Sequence, residues 1–544
     1  MSSAELFPQV GVVSYRRGYS GLTAYLWNAK DRETQVGQGW PMGPPGLHSL
    51  RMKLARAWTR LLAQDVDEAL VGLWEVVPGL SHLEAQSFHP LGAGLSVARA
   101  VGLALRDDCV AALPIALSCI DGAPASQSRL VAIARTVCRL AYWKLGDLAR
   151  FHDAGGVQAT THKKRDVSLL AFDRALEAAV ELQQLRLGAA NRLAQDVLAL
   201  VPRRPCTHTG FASLLATGLL FQLQYEQGAL AEAEESVRDL LPLIRERACA
   251  EAVLRIYPLL AKIARHRAHG DLAMLTLTEA EALGHRRGWS RLIAACLEER
   301  VELLVRTGCT DEAELCLARM HALFAGHRGS HYVQIAVRRH FSLARARICL
   351  NRAPSFKTLA TLKRLNREAI AGGDLYLATQ LSIRVAEALA ALDETTDATE
   401  TLMRALEVGA NVGLYQSFVD GGPLVGTLLA SIADGLAASV PEESGHGRRF
   451  LLPYVKSVLR GWQMANRADP SQGARGTLRL TGPLSPREHR ILQLISRGHS
   501  NKQVARELSI APETVKSHAK HIFVKLGAQT RMEAVSRAAT LGLI

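Results

Sequence analysis

Aromatic residues make up only 5 % of this 544-residue chain, although hydrophobic residues reach 48 %. A core poor in aromatics and rich in alanine and leucine favours helices, because sheets draw on β-branched and aromatic side chains. The dipeptide Gly-Lys does not occur, so no G-x-x-x-x-G-K-[ST] loop is present to wrap a nucleotide's phosphates. The strand–helix alternation of a phosphoreceiver domain is missing as well. Nine cysteines are scattered without a C-x-x-C pair. That pattern lacks metal and redox spacing and reads as small core residues in a reducing compartment. With no basic-then-apolar leader and no apolar run of about eighteen residues, the protein is expected to be soluble and cytoplasmic, with no membrane partner. No Ser/His/Asp or Cys/His set stands out, so no catalytic or cofactor residue is assigned and enzyme activity is not expected.

Several charged clusters read as surface. His266 and His269 form an H-x-x-H flanked by Arg265 and Arg267, but no third ligand stands at matching spacing. They are expected on a solvated basic face, not at a metal. His285-Arg286-Arg287-Gly288-Trp289 reads as an exposed, cation-rich turn, and Glu232, Glu234 and Glu235 as surface charge.

What the chain does have is a repeat. From about Ser49, turns between helices are placed at Gln64, Asp107, Gly146, Gly188, Gly228, Gly270, Gly308, Asn351 and Asp393, 38 to 43 residues apart. Five positions after each comes an apolar residue: Ala69, Ala112, Phe151, Leu193, Ala233, Leu275, Ala313, Phe356 and Ala398. A two-helix unit repeated near 40 residues marks an α-solenoid. The expected layout is all-α: an irregular lead-in at 1–48, a solenoid at 49–410, closing helices at 411–465, a polar Pro/Gly-bearing linker at 466–479 and a terminal domain at 480–544.

The terminal domain concentrates charge. From Leu484 onward ten Lys/Arg stand against four Asp/Glu, so this stretch holds +6 of the chain's +14, which suits a nucleic-acid partner. Ser485-Pro486-Arg487-Glu488 and Ser500-Asn501-Lys502-Gln503 are capping patterns that start two short helices. Pro512 opens a third, basic helix, and a fourth begins near Thr530. Two helices joined by a short turn, the second of them basic, form a helix-turn-helix.

Here the residues also carry a likeness. SNKQVARELSIAPETVKSHAKHIFVKLG resembles the LuxR-type DNA-binding domain in its T-V-K-x-H core, its Lys-Leu-Gly end and the helix that follows. One position departs: Ala511 stands where that family usually has a serine or threonine cap. Val515 and Ile522 face the core, so Lys516, Ser517 and Lys520 project outward; the resemblance implies that these three meet base edges in the major groove. Asn501, Lys502, Thr514, Lys525 and Arg531 lie at helix ends and are expected to hold phosphates. The resemblance further implies that Ala534, Val535, Ala538 and Leu541 pair the last helix with a second copy, making a homodimer on double-stranded promoter DNA, with RNA polymerase as a further partner.

The helix pairs resemble tetratricopeptide repeats, although their period exceeds 34 residues. The segment Gly413 to Gly422, followed by Leu424, Leu428 and Leu429, resembles the closing segment of MalT-like regulators, which usually have an acidic residue where Gly421 stands. Those regulators carry a nucleotide-binding domain before their repeats. Its missing phosphate loop leaves two readings, a shortened relative or an ATPase partner on a separate chain. The solenoid is expected to bind a small effector or partner protein and to control the DNA reader. A pure protein scaffold is the rival, and the basic residues beside T-V-K-x-H argue against it.

Overall fold

The computed structural model of the chain describes residues 47–62, 66–74, 90–122, 128–155, 167–201, 210–326, 331–438, 448–466, 486–496, 499–508, 510–526, 531, 534, 535 and 538. The expected lead-in up to residue 46 and the expected linker from residue 467 lie outside these. Every element among the described residues is helical. No helix among them is long and apolar enough to cross a membrane.

Successive helices pair off along the chain. The pairs are α1 (Leu47–Leu62) with α2 (Val66–Trp74), α3 (Pro90–Leu105) with α4 (Cys109–Asp121), and α5 (Ser128–Leu145) with α6 (Leu148–Asp153). Next come α7 (Val167–Gln183) with α8 (Leu187–Leu200), α9 (Gly210–Glu226) with α10 (Leu230–Arg238) and α11 (Leu241–Arg247), and α12 (Ala250–His266) with α13 (Gly270–Arg287). The last are α14 (Ser290–Arg306) with α15 (Thr310–Gly326), α16 (His331–Arg352) with α17 (Phe356–Ala371), and α18 (Leu375–Ala390) with α19 (Thr395–Val412).

One backbone device makes most of the turns within pairs. Asp107, Gly146, Leu185, Gly228, Ala268, Gly308 and Asp393 all have positive φ, between 60° and 78°. At each, the left-handed residue donates to the carbonyl three back, as Asp107 does to Ala104 at 3.1 Å, and its successor donates five back, as Asp108 does to Leu103 at 2.8 Å. This is the Schellman motif, which uses up the carbonyls a helix leaves unpaired at its end. Five residues beyond each turn stand Ala112, Phe151, Ala190, Ala233, Ala273, Ala313 and Ala398, every one 0 % exposed. Small residues predominate there because the second helix crosses close to the first.

Of the expected turn positions, Gln64 lies outside the described residues and three others need correction. Gly188 lies within α8 and Gly270 within α13; the left-handed residues are Leu185 and Ala268. Ala190 and Ala273 therefore take the buried positions assigned to Leu193 and Leu275. Asn351 continues α16, and Ala353-Pro354-Ser355 makes the break instead, with the Ser355 hydroxyl accepting from the Thr358 amide at 3.3 Å. Phe356 consequently sits on the surface, 64 % exposed.

The array coils tightly enough for distant turns to touch. Trp289, before α14, is buried and donates its indole N–H to the Leu105 carbonyl at 3.2 Å, whereas His285, Arg286 and Gly288 of the same expected turn are exposed. Arg291 donates to Asp107 at 2.7 Å and also pairs with Glu251, while Lys144 bonds Asp107 at 2.7 Å and lies 3.3 Å from Glu251. Four charged side chains from α3–α4, α5, α12 and α14 thus meet in a buried knot. Burial pushes the Asp107 and Glu251 carboxyls up, but Arg291 and Lys144 outweigh it and both end below the carboxylate range.

Candidate nucleic-acid interface

Three described helices build the terminal domain: α23 (Pro486–Ser496), α24 (Asn501–Glu507) and α25 (Pro512–Lys525). Their core joins Ile491, Leu492, Leu494 and Ile495 to Val504, Ala505, Val515, Ala519, Ile522 and Leu526. The helix spacing fixes what is left outside. With Val515, Ala519 and Ile522 turned inward, Thr514, Lys516, Ser517 and Lys520 are exposed on the remaining faces of α25. Lys516 approaches Glu513 at 3.7 Å, but both side chains are mostly in solvent, so the pair holds little energy and leaves the amine available to a ligand.

Both ends of the turn are fixed by local chemistry. Ser500 and Gln503 form a reciprocal capping box: the Gln503 amide donates to the Ser500 hydroxyl at 3.4 Å, and the Ser500 amide to the Gln503 side chain at 2.7 Å. At α25, Ala511 offers only its carbonyl, which accepts from Thr514 at 3.0 Å and Val515 at 3.2 Å. Ala511→Ser adds the missing acceptor and is expected to stabilise this domain by about 1 kcal/mol. That corresponds to a rise of roughly 4–8 °C in its melting transition. A transition that stays put or falls counts against side-chain capping here.

Other site residues have partners inside the domain. The Lys525 amine bonds Glu488 at 2.7 Å, and buried Glu488 thereby ties the start of α23 to the end of α25; Ser485, its expected capping-box partner, lies outside the described residues. Arg531 donates to the Asn501 side chain at 3.0 Å and to the His499 carbonyl. Lys502 belongs to α24, but its side chain lies outside the described residues, as does Leu541. Ala534 and Ala538 are 0 % exposed and Val535 is half-buried against the same core. The two alanines are thus already enclosed within a single chain. Sequence spacing finds the outward face of α25 because one helix determines it. The Lys525–Glu488 and Arg531–Asn501 bonds span 37 and 30 positions, and no local pattern announces them.

A second cluster, unforeseen from the sequence, fills the solenoid's interior. After α19 the chain turns at Gly413 and enters a four-residue helix, α20 (Gln416–Val419), followed by α21 (Pro423–Ala438) and α22 (Leu452–Ala465). Asp420 ends this entry. Its carboxylate accepts from Arg265 at 2.8 Å and from the Tyr225 hydroxyl at 2.7 Å, lies 2.6 Å from His266 Nε2, and has Lys262 at 3.8 Å. Arg306 donates to the Asp420 carbonyl at 2.7 Å, and the Trp462 indole to the Gly421 carbonyl at 3.0 Å. Beside it, buried Glu226 accepts from the Ser417 amide at 3.2 Å, from the Ser417 hydroxyl at 2.8 Å and from the Tyr376 hydroxyl. The expected solvated face around His266 is therefore corrected: Arg265 and His266 point into the molecule and hold Asp420. His269 lies exposed at the start of α13. Gly422 has no room for a side chain, since a Cβ there would stand 1.8 Å from the Glu387 carboxylate.

With this geometry in place, comparison with known proteins is direct. Residues 131–434 match the MalT-like TPR region, and residues 482–538 match the bacterial regulatory proteins of the luxR family. The first match covers more than half of the chain, which belongs to the family defined by the MalT-like TPR region, here followed by a LuxR-type helix-turn-helix domain. The HTH-type transcriptional regulator MalT of Serratia proteamaculans (strain 568) is 26 % identical over 331 residues, 59 % of this chain. The match spans only 35 % of that relative's length.

Proposed function

We propose that this protein is a sequence-specific, DNA-binding transcriptional regulator that works in the cytoplasm. The observation that carries the reading is the outward face of α25, where Lys516, Ser517 and Lys520 stand opposite a fully buried Val515–Ile522 face. In this reading α25 lies in the major groove, with the two lysines directed at guanine O6 or N7 and Ser517 reading less selectively. Asn501, Lys502 and Thr514 hold phosphates and set the register. Lys525 and Arg531 serve there only by sharing or leaving their present partners. Two copies bind an inverted repeat on promoter DNA and meet RNA polymerase there. Because Ala534 and Ala538 are enclosed, the dimer contact falls to Val535 and Leu541. The repeats take a small effector or a partner protein that controls DNA binding.

Selection of bound fragments from a random DNA pool with the full chain tests this reading. The expected product is one site with two-fold symmetry. In the Lys516→Ala chain, discrimination at one base step per half-site falls by about 10- to 100-fold, as the loss of one bidentate contact predicts. Equal weakening on every sequence would make Lys516 a phosphate contact, and recovery of no preferred site would remove the reading.

A further inference from the structure

The first pairs of the solenoid line a half-open pocket of about 170 Å³ that lies apart from both clusters above on most of its wall. Val101, Ile133, Leu140, Phe172, Phe211 and Leu215 supply an apolar lining from α3, α5, α7 and α9. Trp58 of α1 completes the wall, 4 % exposed. Its indole N–H meets no acceptor among the described residues, and a buried donor of that kind is a cost unless something accepts from it. At the far end the lining reaches Lys144 and Glu251, two members of the buried knot with Asp107 and Arg291.

The size and the chemistry narrow the occupant. An apolar cavity of roughly 150 Å³ is known to admit a benzene ring, so this one takes a body of that bulk. An anion is disfavoured. Lys144 is already engaged by Asp107 and Glu251, Arg129, the other cation of the lining, is not free either, and a carboxylate placed beside Glu251 in an apolar space would be repelled by it. An uncharged acceptor, such as a ketone, aldehyde or ester oxygen, needs only the indole donor.

We infer that the cavity is a binding site for an uncharged molecule of about monocyclic-aromatic size that carries one hydrogen-bond acceptor, which receives the Trp58 N–H. The inference rests on, and deepens, the reading of the repeats as an effector-binding region. A ligand there presses on the ion knot that joins α3–α4 to α12 and α14, so occupancy reaches the pairing of distant repeats directly.

The test is calorimetric titration of the full chain, without DNA, with three probes of similar bulk: acetophenone, ethylbenzene and benzoate. Acetophenone is expected to bind saturably and about fivefold more tightly than ethylbenzene, the worth of one net hydrogen bond; benzoate is expected to bind more weakly than either. Trp58→Phe keeps the ring but removes the donor, and should make acetophenone and ethylbenzene equal. Ala212→Leu fills the space from α9 and should abolish both, with the helical circular dichroism signal confirming the fold of each variant. Absence of saturable binding in the parent overturns the inference, as a cavity filled by another part of the chain would produce. So does an acetophenone preference that survives Trp58→Phe, or binding that survives Ala212→Leu. DNA selection is measured separately, so failure of the cavity leaves the reading of α25 standing.

Discussion

In the Asp420→Asn chain, the amides of Tyr415 and Ser417 are expected to exchange with solvent about a hundredfold faster than in the parent. Both donate to Glu226, at 2.9 Å to its carbonyl and 3.2 Å to its carboxylate, so they report whether the segment across the solenoid's interior is seated. Removing one partner of a buried ion pair costs roughly 3–5 kcal/mol, because the other charge is left without compensation. Asp420 and Arg265 are 13 % and 15 % exposed at their side chains, which places the expected loss near 3 kcal/mol, or about two decades of opening. Asparagine keeps the volume, so the change isolates charge. Unaltered exchange would mean that the apolar contacts of Phe418 and Val419 seat the segment alone.

The same carboxylate gives this effect a pH signature. Burial pushes Asp420 up, but Arg265, the His266 hydrogen bond and Lys262 outweigh it and hold the group well below the carboxylate range. A carboxyl lowered in the folded state contributes its full stability above the unfolded value, near 3.9, and loses it as pH falls toward the folded value. The parent-to-variant difference in exchange therefore stays large from about pH 7 to pH 5 and shrinks as pH drops below about 4. Glu226, pushed up mainly by burial and further by the Asp420 charge, works in the opposite sense, and only the part that does not depend on Asp420 cancels in the comparison.

Raising the salt concentration from 50 to 200 mM is expected to weaken DNA binding by about a thousandfold. Lys502, Lys516 and Lys520 from each of two copies make six cations in the proposed interface. Each cation brought onto the duplex, whether at a phosphate like Lys502 or at a base edge like Lys516 and Lys520, displaces condensed counterions with a log–log slope near −0.9, and about six of them lose on the order of 10³ over this range. Lys525 and Arg531 are left out of the count, because their cations already have partners in the domain. A slope near −9 would bring them back as phosphate contacts on DNA. A flat response would sink the whole contact set.

What could be read from the chain alone follows from the range of each interaction. The Schellman turns were visible where glycine or aspartate marks a left-handed residue, as at Asp107, Gly146, Gly228, Gly308 and Asp393. Leu185 and Ala268 adopt the same conformation without such a mark, so the nearest glycine was a misleading guide by two or three residues. The face of α25 was legible because one helical period decides it. Asp420 was not, since its partners Tyr225, Arg265 and His266 lie 154 to 195 positions away. By local pattern alone Arg265 and His266 belong to solvent, because nothing near them in the chain shows that an acidic residue returns to meet them.

The segment from Gly413 to Gly422 also changes what kind of spring this molecule is. An open solenoid is elastic, since each pair touches only its neighbours and small rotations add along the axis. Here α20 and the Asp420 that follows it bond to α9, α12, α14 and α18 at once. A coil pinned at its axis cannot stretch by degrees: it stays rigid under small loads and yields only when the pin comes out. In the proposed reading, a signal that the repeats pass to the DNA reader by deformation would be a threshold response, with the seating of Asp420 as the threshold.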